Sequence, residues 1–474
     1  MRISRRGFLR QSGGVAAGFV GLQRLLDGPL VAAAAPTVQA YQSEVEAYGK
    51  LVRDPKRILD LPKGFEYTVV SVMGDPMSDG FRTPGAPDGM AAFPLDDDRV
   101  VVVRNHELED DVTLMGPFGL ENQLVSRVPE DKLYDAGKGV QPQLGGTSTF
   151  VYDVQRRKVK SHFLSLAGTV RNCAGGLTPW GSWISCEETL QLEDEFRERH
   201  HGYNFEVPAS DKMGLVVPVP LKAMGRFNHE AVAVDPATGI VYQTEDEHNG
   251  LITRFIPNEP GKLQVGGRLE ALVVRGNAAC DTRNWPDVGA PAIPIGEMLE
   301  VSWMPIEDTE NLDGKLRLNS FRAGAAIFAR GEGMWYGSGK IYFACTSGGR
   351  AKSGQVFVYS PSPHEGTVLE DRSPGRLTLY LEPNNTNLLE FGDNLTVAPW
   401  GDVILCEDGA KDQYLRGITS AGKIYTLARS GYHGNSEMCG VCFAPNHPTL
   451  FVNIQVPGIT LAITGPWGEG CGGI

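Results

Sequence analysis

"NCAGGLTPWGSWISCEE", residues 172–188, carries the pattern that decides the fold. Its second half is a turn at Gly181, a short run containing Trp183 and Ile184, and an acidic end at Glu187-Glu188. The same unit recurs in "DDRVVVVRNHE" (97–107), "GGTSTFVYD" (145–153), "GIVYQTEDE" (239–247), "GKIYFACTSGG" (339–349), "GQVFVYSP" (354–361), "GDVILCEDG" (401–409), "GKIYTLARS" (422–430) and "TLFVNIQ" (449–455). Short β-branched and aromatic runs between Gly, Asp and Asn turns read as strands. Helical periodicity is weak, and "TLQLEDEFRERH" (189–200) is the stretch beyond the N-terminal segment that suggests a helix. Many short strands with related endings predict radial repetition, hence an all-β fold, an irregular β-propeller. Its irregular period implies long inter-blade insertions, such as 190–222 and 276–318. A pair of β-sandwiches is the alternative architecture.

The N-terminus reads as an address. "SRRGFLR" (4–10) is a twin-arginine pattern, followed by an apolar Gly/Ala-rich run and small-residue cleavage positions near Ala34 and Ala35. Such a segment is removed and takes no part in the fold. Residues 1–35 are therefore read as a twin-arginine signal peptide recognised by the Tat translocase. Residues 36–60 read as a polar arm, and 61–474 as a single propeller domain. The mature protein is expected in the periplasm or outside, with no membrane span.

The formal charge is −13. Removing residues 1–35 takes away five Arg and one Asp, leaving 39 basic against 56 acidic residues and a net charge of −17. So acidic a surface argues against nucleic acid or anionic lipid as partner and predicts a soluble monomer. An anionic substrate would require local cations, which metal ions supply. Of the eight cysteines, Cys186, Cys345 and Cys406 sit in strand-like runs as small buried residues. Cys439 and Cys442 form a C-x-x-C without a second pair, which favours packing over zinc. An oxidising compartment allows some disulfides.

The chemistry gathers at the strand ends: Asn105-His106-Glu107, Cys186-Glu187-Glu188, Glu245-Asp246-Glu247 and Cys406-Glu407-Asp408, with His229-Glu230 and Arg330/Glu332 beside them. A propeller brings its inner strands around one channel, so acids at these ends converge. Several carboxylates in one low-dielectric funnel repel unless cations lie between them. Carboxylate oxygens suit Ca²⁺, and mixed carboxylate and thiolate ligands suit iron.

The opening stretch resembles the Asn-Cys-Ala-Gly-Gly, Thr-Pro-Trp-Gly and Cys-Glu-Glu signature of the PhoX-type alkaline phosphatases. "VRNHE" (103–107), "HGYNFEVP" (201–208), "GRFNHEA" (225–231), "ARGEGMWY" (329–336), "DNLTVAPWGDVILCEDG" (393–409) and "FVNIQVPGITLAITGPW" (451–467) resemble the same family in order. The resemblance implies about six blades around two ferric ions and several Ca²⁺, an iron-bound cysteine thiolate, and phosphomonoester hydrolysis. Carried over by motif, Cys173 is the thiolate, and one of Glu188 and Glu187 is an iron ligand with the other its structural neighbour. Glu245 is implied as an iron or calcium ligand. Glu332, Asp408 and Glu230 are implied as calcium ligands, with Glu407 and Glu437 as further candidates. Arg330 is the phosphate clamp, and Asn105 or His229 are candidate hydrogen-bond donors. The chain lacks some rim insertions common in the family.

Two other readings stay in play: a non-catalytic calcium-stabilised binding propeller, and a calcium-dependent hydrolase of a lactone or phosphodiester. Cys173, Arg330 and Glu332 favour the phosphatase, because a scaffold needs none of them.

Overall fold

The computed structural model describes residues 41–109, 114–432 and 436–468. The twin-arginine segment lies outside the described residues. Short antiparallel strands fill the chain, and the one α-helix among the described residues is Leu316–Ala323. No helix there is long and apolar enough to cross a membrane.

Six innermost strands form a ring, each touching the next and the sixth touching the first: Pro87–Pro94, Asn172–Leu177, His229–Val234, Gly331–Gly337, Gly392–Val397 and Met438–Phe443. Each begins a blade, here numbered 1 to 6 in that order. Blade 1 adds Arg99–His106, Gly145–Asp153 and Lys158–Thr169, while blade 2 has three strands, with Ser182–Glu187 and Asn204–Pro208. Blades 3 and 4 share one nine-stranded sheet, joined where Met298–Pro305 pairs with both Gly267–Val274 and Arg376–Leu381. The expected insertions are thus partly strand: 190–222 contains the third strand of blade 2, and 276–318 contains the strand that joins the two blades. The expected helix at 189–200 is irregular instead. Its Asp194 accepts from the backbone N–H groups of Phe196 and Arg197, so turn bonds replace helical ones.

The ring is closed by sequence-distant pairing. Glu66–Val72, near the start, is the fourth strand of blade 6, antiparallel to Ile459–Thr464. Closure of this kind removes exposed sheet edges. Within the expected arm, Leu51–Val52 pairs with Leu59–Pro62, which in turn pairs with Ile424–Ser430 of blade 5. Apolar seams between blades supply the packing; Cys186, Ile184, Val232, Val241 and Phe255 lie in one of them. The seven cysteines among the described residues are free and buried.

One irregularity repeats in every blade. The register between first and second strands slips between Pro87 and Met90, Asn172 and Gly175, His229 and Val232, Gly331 and Met334, Gly392 and Leu395, and Cys439 and Cys442. Each slip inserts one extra residue on the inner strand, a bulge that re-aims its side chain. The first bulged residues are Asp88, Cys173, Glu230, Glu332, Asp393 and Gly440: five possible metal donors and one glycine.

Small residues follow most of these donors because the inner strands nearly touch. A Cβ on Gly89 would lie 2.5 Å from Ala174 Cα, and one on Gly333 would lie 2.6 Å from Asn394 Cα. Gly440 combines φ of +66° with a Cβ position 2.3 Å from the Asp88 carbonyl oxygen. Gly440→Ala is therefore expected to destabilise the protein by more than about 1 kcal/mol, measured as a fall in the denaturant midpoint. An unchanged midpoint would contradict the close approach of blades 6 and 1.

Candidate metal centre

The bulges aim their donors into the channel, and a second tier lies above them. The residue after the last paired position of each second strand is Glu107, Glu188, Asp246, Thr346 and Asp408 in blades 1 to 5. Their N–H groups donate to the carbonyls of Ala86, Arg171, Asn228, Arg330 and Phe391, each the residue entering its inner strand, at 2.8–3.1 Å. The repeat is thus kept by the backbone even where side chains differ.

Three groups of donors have their ligand atoms within 4.8 Å of one another: Cys173, Glu188 and Glu230; Glu230, Glu332 and Asp393; and Asp88, Glu437 and Cys439. Burial and mutual repulsion hold the carboxyls of Asp88, Glu188, Glu230, Glu332 and Glu437 well above the usual range. Asp393 is pushed up to about 7 by burial, with Asp408 adding to it. Burial also raises the Cys173 thiol, with Glu230 and Glu188 adding repulsion, and its Sγ donates to the His229 carbonyl at 3.2 Å. Multivalent cations reverse all these shifts at once, ionising the acids and the thiol. The donor chemistry therefore fits bound metal ions.

Two cations meet the acids. Arg330 donates from Nε and Nη2 to the two carboxylate oxygens of Asp246 at 2.8 and 2.9 Å, and from Nη2 to Glu332 at 2.7 Å. Arg171 bridges Glu107, at 3.0 Å, and Glu188. Gln455 donates to Glu107 at 2.9 Å, to Asp88 at 3.2 Å and to Glu437, tying the tiers together.

Residues 46–458 match the model of the family described as alkaline phosphatase PhoX. The chain belongs to the PhoX family. Pseudomonas fluorescens PhoX, solved in complex with vanadate, a transition state analogue, is similar at TM-score 0.62 and 17% identity, over 90% of this chain and 98% of that one. At that identity the likeness shows the fold alone. A Xanthomonas campestris gluconolactonase is similar at TM-score 0.37 and 11% identity, over 84% of this chain and 98% of that one. Among curated proteins none matches.

Within this PhoX-family centre, the structure brings together Cys173, Glu188, Glu230, Glu332, Asp408, Glu437 and Arg330. It holds the five other expected residues apart. Glu187, on the opposite strand face from Glu188, accepts from the N–H groups of Val170, Gly202 and Tyr203 and from His201. Glu245 accepts from the Leu251 N–H at 3.0 Å and faces Arg317, so the neighbouring Asp246 reaches the channel. Glu407 is bound by Arg416 at 2.9 Å and by the Glu390 N–H, which leaves Asp408 facing inward. Glu245, Glu407 and Glu187 thus share one cause: each is the last paired residue of its strand, one step short of the turn inward.

Asn105 is also committed elsewhere. Its Nδ2 donates to the carbonyls of Cys173 and Ala174, while Oδ1 accepts from Trp183 and Ser185, so it pins the bulge that carries the thiol. His229 stacks on Phe227 with Nε2 donating to the Gly225 carbonyl, and burial lowers its pKa to about 3. Its backbone carbonyl, not its ring, meets Cys173.

Sequence reasoning missed Asp88, Asp393, Arg171 and Gln455, and it placed Glu107 and Asp246 among the converging strand ends without assigning either a role. The signal for the first two was available: an acid or cysteine followed by Gly, Ala or Asn just before an apolar strand start, in "PDGM", "NCAG", "HEAV", "GEGM" and "GDNL".

Glu187 and Glu188 should separate in a stability measurement. Glu187→Ala strips the acceptor from His201 and three N–H groups and is expected to cost on the order of 3 kcal/mol. Glu188→Ala removes a repelled acid and should leave the metal-free protein at least as stable. Equal losses would contradict the division of roles. His201 itself is raised to about 9: burial opposes its charge, but Glu187 and Asp135 outweigh it. Its contribution is full below pH 6.5, the unfolded value, and is lost as pH rises through about 9. The unfolding free-energy gap between the parent and His201→Gln should shrink across that window.

Proposed function

We propose that this chain is an exported, metal-dependent phosphatase that hydrolyses small phosphomonoesters at the propeller centre. The observation that carries the reading is the ring of bulged donors, Cys173 among them, converging beneath Arg330. Membership of the PhoX family supports phosphoester hydrolysis. The vanadate held by the Pseudomonas fluorescens relative supports a centre that accommodates a phosphoryl group in transfer.

Cys173, Glu188 and Glu230 are the residues that would hold ferric iron, since a thiolate among carboxylates suits that ion. Glu332, Asp393, Asp246 and Asp408 would hold calcium, with Asp88 and Glu437 as an oxygen-rich second location. Bound there, the ions supply Lewis acidity that draws charge from the phosphoryl oxygens. The protein's own part is positioning. Asp246 fixes the Arg330 guanidinium by a two-point ion pair, so its planar fork is set before substrate arrives. Arg330 then meets the charge that grows on the transferring group. Because Arg330 has φ of +54°, its side chain leaves the backbone from a left-handed position that the inner strand alone would not give. Asn105 holds the Cys173 bulge in register beneath it.

Export through the twin-arginine route, which carries folded proteins, fits a centre loaded before translocation. Replacing Arg5 and Arg6 by Lys should leave the precursor in the cytoplasm, scored by cell fractionation; normal export would contradict the assignment. Cys173→Ser should lower phosphatase activity at least about 100-fold, on the scale of losing one transition-state group. Its circular dichroism should be unchanged, and elemental analysis should show iron lost with calcium largely kept. A variant that keeps both iron and activity would return Cys173 to a packing role and favour the calcium-only hydrolase.

A further inference from the structure

The centre contains a second arginine in the same structural position as Arg330. Arg171 and Arg330 each immediately precede an inner strand, in blades 2 and 4. Both are left-handed, with φ of +46° and +54°. The backbone N–H of Arg171 donates to the carbonyl of Leu108, and that of Arg330 to the carbonyl of Glu247, at 3.0 and 2.9 Å. Leu108 and Glu247 each follow the upper-tier acid of the preceding blade, Glu107 or Asp246. The side chains repeat the relation, since Arg171 grips Glu107 and Arg330 grips Asp246. Each also reaches an acid of its own blade, Glu188 or Glu332. Two contacts, the backbone N–H bond and the grip on the upper-tier acid of the preceding blade, therefore superimpose on a two-blade rotation, while the own-blade acid is an upper-tier residue for Arg171 and a bulged residue for Arg330.

The two guanidiniums are equally available. Their side chains are 35% and 30% exposed. On each, Nε and Nη2 face acids, while Nη1 has no hydrogen-bond partner among the described residues. An arginine carries five donors, so Nη1 leaves two N–H groups for an incoming oxyanion. Arg171 and Arg330 are also the two cations that the central acids feel: Arg171 lowers Glu188, and Arg330 lowers Glu332, Asp393 and Asp408. Glu188 and Asp246 lie against each other between them, so the chain Glu107–Arg171–Glu188–Asp246–Arg330 runs across the channel mouth.

We propose that Arg171 is a second substrate-binding cation of this centre, the counterpart of Arg330 across blade 3, contacting the phosphate of the ester. The proposal rests on the phosphatase reading above and deepens it. A site with one arginine on either side of the acidic mouth grips a phosphate dianion from two directions. It favours a doubly charged phosphate over a singly charged carboxylate or a neutral ester, because two guanidiniums meet two formal charges.

The test uses the metal-loaded full chain and inorganic phosphate as the probe, with binding read by calorimetry and metal content by elemental analysis. Arg171→Gln should weaken phosphate binding at least about tenfold, the weight of a lost charge-assisted hydrogen bond. It should raise KM for 4-nitrophenyl phosphate more than it lowers kcat, with metal content unchanged. Arg171→Lys should restore part of the affinity, and Arg171→Gln combined with Arg330→Gln should abolish detectable binding. Phosphate affinity within twofold of the parent in Arg171→Gln overturns the proposal. So does a loss of affinity that tracks a loss of metal, because Arg171 would then merely position Glu188. A parent that binds phosphate through Arg171 but hydrolyses no monoester leaves this inference standing and sinks the function; a parent that binds no phosphate sinks both.

Discussion

Everything in this molecule answers to one electrostatic constraint: a ring of buried carboxyls and a thiol pointing at each other across a narrow channel. Left alone, such a ring opposes folding, because each ionised group raises the cost of the next. It can be held only by a frame whose stability comes from elsewhere. The frame here is the closed ring of six blades, sealed by pairing Glu66–Val72 with Ile459–Thr464 across nearly the whole chain. Apolar seams between blades and close backbone approaches, such as Gly89 against Ala174, keep the inner strands from spreading. The strain is therefore borne by distant parts of the fold, and bound cations relieve it locally.

The division between donors and supports follows from strand geometry. At three blade ends two acids stand side by side, and alternation sends them opposite ways. The first of each pair, Glu187, Glu245 or Glu407, turns outward to a cation or a set of N–H groups: His201, Arg317 and Arg416 respectively. The second, Glu188, Asp246 or Asp408, turns inward. The outward acids are anchors, since each fixes the strand end from which its neighbour reaches the channel. Two adjacent acids thus divide labour, one tying the blade down and the other facing the metal site.

This also explains how far the sequence could be read. The strand runs with acidic ends were legible, so the propeller and the convergence of Cys173, Glu188, Glu230 and Glu332 could be anticipated. Which acid of a pair faces inward was not legible, because that depends on where pairing stops, and a strand's last paired residue is not marked in sequence. Asp88 and Asp393 were hidden for a related reason. They are brought inward by a one-residue bulge, whose short sequence mark, an acid or cysteine before a small residue, gains its meaning when the inner strands are aligned by their slipped register. Asn105 and His229 looked like catalytic donors because they are polar and lie near the motifs. The partner of Asn105, the Cys173 carbonyl, comes from a distant segment, and His229 folds back on the Gly225 carbonyl of its own motif, a local bond that uses up its ring Nε2.

The two arginines show how the fold reconciles an acidic protein with an anionic substrate. Net charge alone repels a phosphate ester, and the central carboxyls repel it more. Arg171 and Arg330 are each tethered to an upper-tier acid of the preceding blade, which keeps both at the mouth although Arg330 also reaches Glu332 of the ring. The tether matters as much as the charge. An arginine free to fold inward would satisfy Glu230 or Asp393 and leave the mouth negative. Held by Glu107 and Asp246 of the preceding blades, the guanidiniums stay at the mouth, and Cys173, Glu230 and Asp393 are left for metal ions. The same repeating backbone contacts that build the donor ring therefore also hold at its mouth the cations that face substrate.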